Sequence, residues 1–241
     1  TEVDSDKGTA AAPLDRRIQL FYLTLLVLSG PGITLKMFQS LLGSYVHPFS
    51  HRKELMCVFS RSYRWLQTLS VGRVYKVPQD IRDELLGAAL VLPCAHADLR
   101  ASLSSTLTCS DATQVGGGVT SVEVAGECAE GLFRHGEHRG AYTRLDWGPD
   151  DWQLKPWTGH QLPEVLVDVI RGASWKVDRS FLFSQSDHVN VQEARALKSA
   201  LVQHCLRSSA PEVCINGTDS RVCLGAFGKG RSSAPKLNLS L

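Results

Sequence analysis

The sequence predicts an α/β fold preceded by a small all-α region. Three observations carry this. Apolar residues recur at helical spacing from Leu14 to about Leu69. A glycine run at Gly116-Gly117-Gly118 separates two stretches that alternate apolar and polar residues. An amphipathic stretch from Val191 to Leu206 is then followed by short apolar runs. Strand, glycine turn, strand, helix, strand is the order of an α/β unit, whereas the chain before Pro93 reads as helix.

Composition sets the outer bounds. At 241 residues, with 43% hydrophobic and 21% charged residues, the chain is neither disordered nor a coiled coil, and its length suits one large domain or two small ones. The net charge of +2 does not announce a nucleic-acid partner, so any such binding needs a local basic patch. Seven scattered cysteines without a CxxC spacing argue against a disulfide framework and a structural zinc site. They suit small buried hydrophobes in a reducing compartment, which predicts an intracellular protein, cytoplasmic or nuclear. The apolar run Ile18–Leu28 covers 11 residues. A spanning helix needs about 20, so no membrane partner is expected.

The elements follow in order. Residues 1–13 are small and polar and read as a flexible lead. Residues 14–93 form the helical region. In it Leu35, Phe38, Leu41, Leu42 and Tyr45 mark one apolar face, and breaks fall at Gly30-Pro31-Gly32 and at Pro48. From His51 to Leu69 a third periodic stretch carries Leu55, Val58, Phe59, Ser62, Leu66 and Leu69 on one side and His51, Arg52, Lys53, Arg61 and Arg64 on the other. Pro78 with Asp80, Asp83 and Glu84 opens a helix that runs to about Leu92, because a helix start favours acidic residues. In residues 94–241, Leu103–Leu107 and Val119–Val124 read as strands of a hairpin. Residues 125–179 read as an irregular insertion holding Trp147, Trp152, Trp157 and Trp175 as packing anchors, with one short helix at Leu162–Ile170. Ser180–Ser184 reads as a strand. The helix Val191–Leu206 presents Ala194, Leu197, Leu201, Val202 and Cys205 on one face, and Val213–Ile215 and Arg221–Phe227 read as strand.

Three acidic residues stand at the ends of these elements. Asp111 precedes the glycine turn, Glu193 lies in the first turn of the long helix, and Asp219 precedes or opens the strand at Arg221–Leu224. Carboxylates from two strands and a helix suit a hard divalent cation, which takes oxygen ligands and leaves positions for water and phosphate. Taken singly, each has an ordinary explanation as well. An Asp beside a turn commonly bonds its own backbone, and a Glu in a first turn commonly answers the helix dipole. Gly225-Ala226-Phe227-Gly228-Lys229-Gly230-Arg231-Ser232 only superficially suggests a phosphate-binding loop, because Arg231 breaks the required Gly-Lys-Ser/Thr ending.

Three segments together resemble the ribonuclease H domain of retroelement polyproteins: Ser110-Asp111-Ala112-Thr113 with the following glycines, His188-Val189-Asn190-Val191-Gln192-Glu193-Ala194, and Thr218-Asp219-Ser220-Arg221-Val222. Upstream, Phe38-Gln39-Ser40-Leu41-Leu42-Gly43 and His51-Arg52-Lys53-Glu54-Leu55 look like the thumb and connection that follow a reverse transcriptase palm. The resemblance covers roughly residues 14–241. It implies a ribonuclease H-like mixed sheet with flanking helices. It implies cleavage of the RNA strand of an RNA–DNA hybrid, with Asp111, Glu193 and Asp219 holding two Mg²⁺ ions (or Mn²⁺) and water attacking phosphorus without a covalent enzyme intermediate. The hybrid would be held by backbone and 2′-OH contacts, with Arg52, Lys53, Arg61, Arg64, Lys229 and Arg231 as phosphate contacts. An upstream polymerase domain of the same polyprotein is the implied partner, its palm lying outside this chain, which excludes polymerase activity here. Domains of this family carry a fourth acidic ligand, and often a His, beyond the fourth strand, so the resemblance reads the domain as incomplete at Leu241. Two other readings stand beside it: a catalytically inactive remnant that only binds nucleic acid or serves structurally, and an unrelated helical adaptor that docks a partner through residues 18–28.

Overall fold

The computed structural model describes residues 1–136 and 163–241, so Trp147, Trp152 and Trp157 lie outside the described residues. It is a mixed α/β structure that divides into two units. Thr1–Arg100 with Lys229–Leu239 form the first, and Ala101–Gly228 form the second.

The first unit is helical, with two small sheets. Its helices are α1 (Leu14–Ser29), α2 (Leu35–Ser50), α3 (Ser60–Leu66) and α4 (Gln79–Leu90), with a 3₁₀ segment at Lys53–Phe59 leading into α3. The Thr34 hydroxyl caps α2 by accepting from Met37 N. The expected apolar face is the buried one: Phe38, Leu41, Leu42, Tyr45 and Phe49 of α2 meet Phe59, Ile81, Leu85 and Ala88. Tyr45 lies 5.0 Å from Phe59 and 5.3 Å from Phe49, ring centre to ring centre. Its hydroxyl donates at 2.8 Å to Thr24 Oγ1, which in turn donates to Leu20 O. That bond joins α1 to α2 inside the core, and burial pushes the Tyr45 phenol up to about 12. The start of α3 is capped from another helix. Glu84 of α4 accepts from Arg61 N, Ser62 N and Ser62 Oγ, each at 2.8 Å.

Two expectations are corrected in this unit. Residues 1–13 are not a loose lead. Strands β1 (Glu2–Asp4) and β2 (Thr9–Ala11) pair antiparallel, and β2 pairs with the later strand His96–Asp98. Arg100 holds the turn between them by donating to the Ser5 and Asp6 carbonyls, a long-range tie that periodicity does not report. Pro48 does not break α2 but sits in its last turn. There its missing N–H costs one bond, while the fully buried Phe49 beside it holds the turn in place. The second sheet pairs β3 (Ile33–Thr34) with β4 (Val74–Tyr75); β5 denotes His96–Asp98 below.

The second unit is built on a four-stranded mixed sheet in the order β8-β7-β6-β9, where β6 is Ser102–Ala112, β7 is Gly116–Glu123, β8 is Lys176–Leu182 and β9 is Glu212–Gly217. β7 runs antiparallel to both β6 and β8, and β9 is parallel to β6. Cross-strand partners share a face, so Leu107 and Val122 lie together on one side. Helices α5 (Gly126–His135) and α6 (Glu164–Gly172) cover that end through Leu132, Leu166 and Ile170, with Trp175 donating its indole N–H to Ile170 O at 2.9 Å. The described part of 125–179 is therefore regular structure rather than an irregular insertion. The expected helix and strand are present at shifted bounds, Glu164–Gly172 and Lys176–Leu182. Beyond this cover, among the described residues, a groove of about 470 Å³ runs over the same face by Asp111, Gly118 and Ser180, which are cross-strand partners.

Helix α7 (Val189–Arg207) packs against β6 and β7. The face expected for it is corrected in part. Ala194 and Leu197 are buried, but Val202 and Cys205 are exposed. The rest of the buried face comes from Val191, Ala196, Ala200 and His204, small residues in the main, which bring the helix close to the sheet. Arg221–Phe227 is corrected outright. It is not a strand but part of helix α8 (Arg221–Lys229). Ser220 starts it, its carbonyl accepting from Leu224 N and its hydroxyl from Cys223 N. Helix α9 (Pro235–Asn238) belongs to the first unit, where Asn238 Nδ2 donates to Cys57 O. Gly230, at φ 65°, passes so near the Lys53 carbonyl that a Cβ would fall 1.9 Å from its oxygen.

Two substitutions test the first unit's core by chemical denaturation. Tyr45→Phe removes the donor to Thr24 and is expected to cost about 1 kcal/mol. Leu85→Ala, at a fully buried site, is expected to cost roughly 2–5 kcal/mol.

Candidate metal centre

The site is assembled by register. In the parallel pair β6/β9, Cys109 stands opposite Gly217. Running two residues further in the same direction, one chain reaches Asp111 and the other Asp219. The strands are tied just before this point by Asn216, which donates to Thr108 Oγ1 at 2.8 Å and accepts from Ser110 Oγ at 3.2 Å. Gly217 is required by close approach, since a Cβ there would fall 2.7 Å from Cys109 Sγ. Helix α7 then delivers Glu193 from its fifth position. His188 starts that helix by accepting from Asn190 N.

The three expected carboxylates converge. One ligand oxygen from each of Asp111, Glu193 and Asp219 lies within 4.8 Å of the others, and among the described residues no other such group is found. Asp111 and Asp219 are exposed, but Glu193 is 7% exposed, and its Oε2 is fully buried and accepts no hydrogen bond from the described residues. A buried polar atom without a partner is costly, and here its carboxylate also stands beside two further anions. Burial raises the Glu193 carboxyl above its ordinary range, and the charges of Asp111 and Asp219 raise it further. The neighbouring Asp111 accepts from Ala112 N at 2.8 Å.

This donor set fits a hard divalent cation. Oxygens bound at about 2.1 Å to one octahedral ion stand roughly 3.0–4.2 Å apart, so the observed spacing suits a single ion after a small closure. A pair of ions about 4 Å apart also suits it. The geometry supports a metal ion held by these residues and does not fix its identity or number.

The expected basic residues occupy other places. Arg52, Lys53, Arg61 and Arg64 are exposed on the first unit. Arg52 pairs with Glu54 at 3.0 Å and Arg61 with Asp80 at 3.5 Å, while Arg64 and Trp65 line a separate hollow of about 480 Å³ with Thr68 and Pro78. Lys229 and Arg231, read from the sequence as neighbours of the third carboxylate, also belong to the first unit, where the Arg231 guanidinium stands 5.9 Å from the centre of the Tyr63 ring. Sequence reasoning missed Asn216, Gln192 and Cys223. The Cys223 thiol is wholly buried against Asn190 O at the start of α7. Sequence reasoning also missed a four-residue histidine spacing, His47 and His51 at the end of α2. Their rings are 5.3 Å apart, and the His51 nitrogens already face the His47 and Pro48 carbonyls and Thr1 Oγ1.

No family model, curated protein or solved structure matches the chain. No described helix is long and apolar enough to cross a membrane, and all seven cysteines are free thiols.

The electrostatics make a pH prediction. Glu193 binds its proton more tightly folded than unfolded, so without divalent ions its ionisation opposes folding. Stability is expected to fall as pH rises from the ordinary glutamate range through the raised Glu193 value. Glu193→Gln flattens that fall and raises the melting temperature near pH 7 in EDTA. If the three carboxylates hold a divalent cation, its addition is expected to reverse the order, stabilising the native chain more than the variant. Calorimetry across pH, with and without Mg²⁺, checks both.

Proposed function

We propose that the second unit is a ribonuclease H-like nuclease of a retroelement polyprotein, which hydrolyses the RNA strand of an RNA–DNA hybrid with Mg²⁺ or Mn²⁺. The observation that carries this is the convergence of Asp111, Glu193 and Asp219, one from a strand, one from a helix and one from just past a parallel strand, around a buried carboxylate oxygen without a partner. The three matching motifs and the sheet order β8-β7-β6-β9 support it: β6 and β7 form a hairpin, β8 comes after helices α5 and α6, and α7 then leads into β9, parallel to β6. On this reading the hybrid is the product of a polymerase domain of the same polyprotein, and the protein works inside the cell.

Asp111, Glu193 and Asp219 would hold the divalent cation, which would supply positive charge for the attacking water and for the leaving oxygen of a phosphodiester. The chain's own residues do the rest. Asp111 and Asp219, exposed at the rim, keep the site open to a phosphate. Glu193, buried, adds a third carboxylate, one of whose oxygens has no hydrogen-bond partner among the described residues. Among the described residues, the groove past Asp111, lined by Gly116, Gly118, Thr120 and Ser180, has no charged side chain other than Asp111 to repel a nucleic-acid backbone. The exposed arginines of the first unit add phosphate contacts, a sequence-independent grip.

The test is cleavage of end-labelled RNA in a hybrid by the purified chain. Mg²⁺-dependent cutting of the RNA is expected, and none of duplex DNA. Asp111→Asn or Asp219→Asn is expected to slow cutting by about 10²-fold or more, because several kcal/mol of charge stabilisation go with the cation. Hybrid binding without cleavage would instead select the non-catalytic reading. In a binding assay, Arg61→Ala with Arg64→Ala is expected to weaken hybrid binding and to flatten its salt dependence by about 0.9 for each phosphate that is no longer neutralised.

A further inference from the structure

Gln192, the residue before Glu193, is wholly buried in α7 although it is polar. Its amide N–H groups reach outside its own helix. The Nε2 group donates at 3.0 Å to Gln185 O, in the segment after β8, and reaches Gln114 O at 3.5 Å, in the turn between β6 and β7. Its Oε1 accepts from Arg195 at 2.9 Å, and the other arm of that guanidinium bonds Asp187 Oδ2 at 2.8 Å, a carboxylate only 9% exposed. A further bond, Phe183 N to Val115 O at 2.9 Å, joins the same two loops. Gln114 is three residues past Asp111. One side chain therefore ties the helix that carries Glu193 to the turn that ends the strand carrying Asp111.

We propose that Gln192 is a positioning residue for the carboxylate site, fixing the separation of Glu193 from Asp111, with Arg195 and Asp187 fixing Gln192. The inference rests on the reading of Asp111, Glu193 and Asp219 as a cation site. The chemistry favours a positioning role over simple packing. An apolar side chain would fill the same volume without leaving a buried amide to satisfy. The two carbonyls that it satisfies belong to two separate segments, the turn that follows the Asp111 strand and the segment after β8. Groups that orient metal ligands in this way are commonly worth 10–100-fold in metal affinity.

The test measures Mn²⁺ affinity by calorimetry, and the Mn²⁺ paramagnetic resonance spectrum, on the whole chain. Gln192→Met keeps the length and apolar volume and removes both donors and the acceptor. It is expected to weaken Mn²⁺ binding about tenfold or more and to alter the spectrum of the bound ion. Arg195→Met, which frees only Gln192 Oε1 and Asp187, is expected to give a smaller loss in the same direction, and it carries the test if Gln192→Met does not fold. Leu132→Ala, which destabilises the same unit from within α5, serves as the comparison and is expected to leave the Mn²⁺ affinity of the folded protein unchanged. Native affinity and spectrum in the folded Gln192→Met protein, or in Arg195→Met if that is the one that folds, would overturn the positioning role while leaving the cation site standing. Failure of the unaltered chain to bind Mn²⁺ would overturn both.

Discussion

The second unit depends on one constraint, the parallel pairing of β6 with β9 in the register that sets Cys109 opposite Gly217. Parallel strands carry equivalent positions forward side by side, so two residues past that pair Asp111 and Asp219 arrive together. A slip of one residue would turn one side chain to the opposite face and separate them. Asn216 bonds to both Thr108 and Ser110 and so resists that slip. Gly217 allows the strands to close over Cys109. Glu193 completes the cluster because α7 packs onto β6 and β7 through alanines, which bring its first turn down to the strand ends.

The arrangement runs against folding when no cation is present. Two exposed carboxylates flank a buried one, and the buried one has an oxygen without a partner. Such strain persists only where the surroundings enforce it. Here they do so through the β6/β9 register and the polar clamp around Gln192. A neutral, well-bonded cluster would be more stable but would have no affinity for a cation. The first unit carries no comparable tension among its described residues. Its aromatic core is apolar, its internal hydroxyls are bonded in sequence from Tyr45 to Thr24 to Leu20, and Glu84 satisfies the start of α3.

Much of this was legible in the residues because the governing signals are local. The alternating stretches marked the hairpin, although Gly116-Gly117-Gly118, read as its turn, are the first residues of β7 and the turn is residues 113–115; Phe38, Leu41, Leu42 and Tyr45 marked the buried face of α2. The three acids were read near element ends, but Glu193 is the fifth residue of α7 rather than part of its first turn, Asp111 lies within β6 rather than after it, and the element after Asp219 was misread. A run such as Arg221–Phe227 is too short for apolar content to separate strand from helix, and the deciding feature is the Ser220 cap, which needs Cys223 and Leu224 to be helical already. The lead was misread because its order comes from Arg100, some 94 residues away in sequence from Asp6. Gln192 was passed over for the opposite reason. A polar residue at a buried helix position contradicts the amphipathic pattern, and only the two distant carbonyls that it serves explain it. The basic residues at 51–64 and 229–231 were legible as charges, but their ion pairs and the Arg231–Tyr63 stacking are products of tertiary structure.

The central claim is that Asp111, Glu193 and Asp219 hold a divalent cation together. The most direct measurement is a crystal structure of the chain grown or soaked with Mn²⁺, read at the manganese absorption edge. The expected result is an anomalous peak about 2.1 Å from a carboxylate oxygen of all three residues, with Glu193 Oε2 newly partnered. Manganese bound elsewhere with this cluster empty, or a peak that leaves Glu193 out of its ligands, would contradict it.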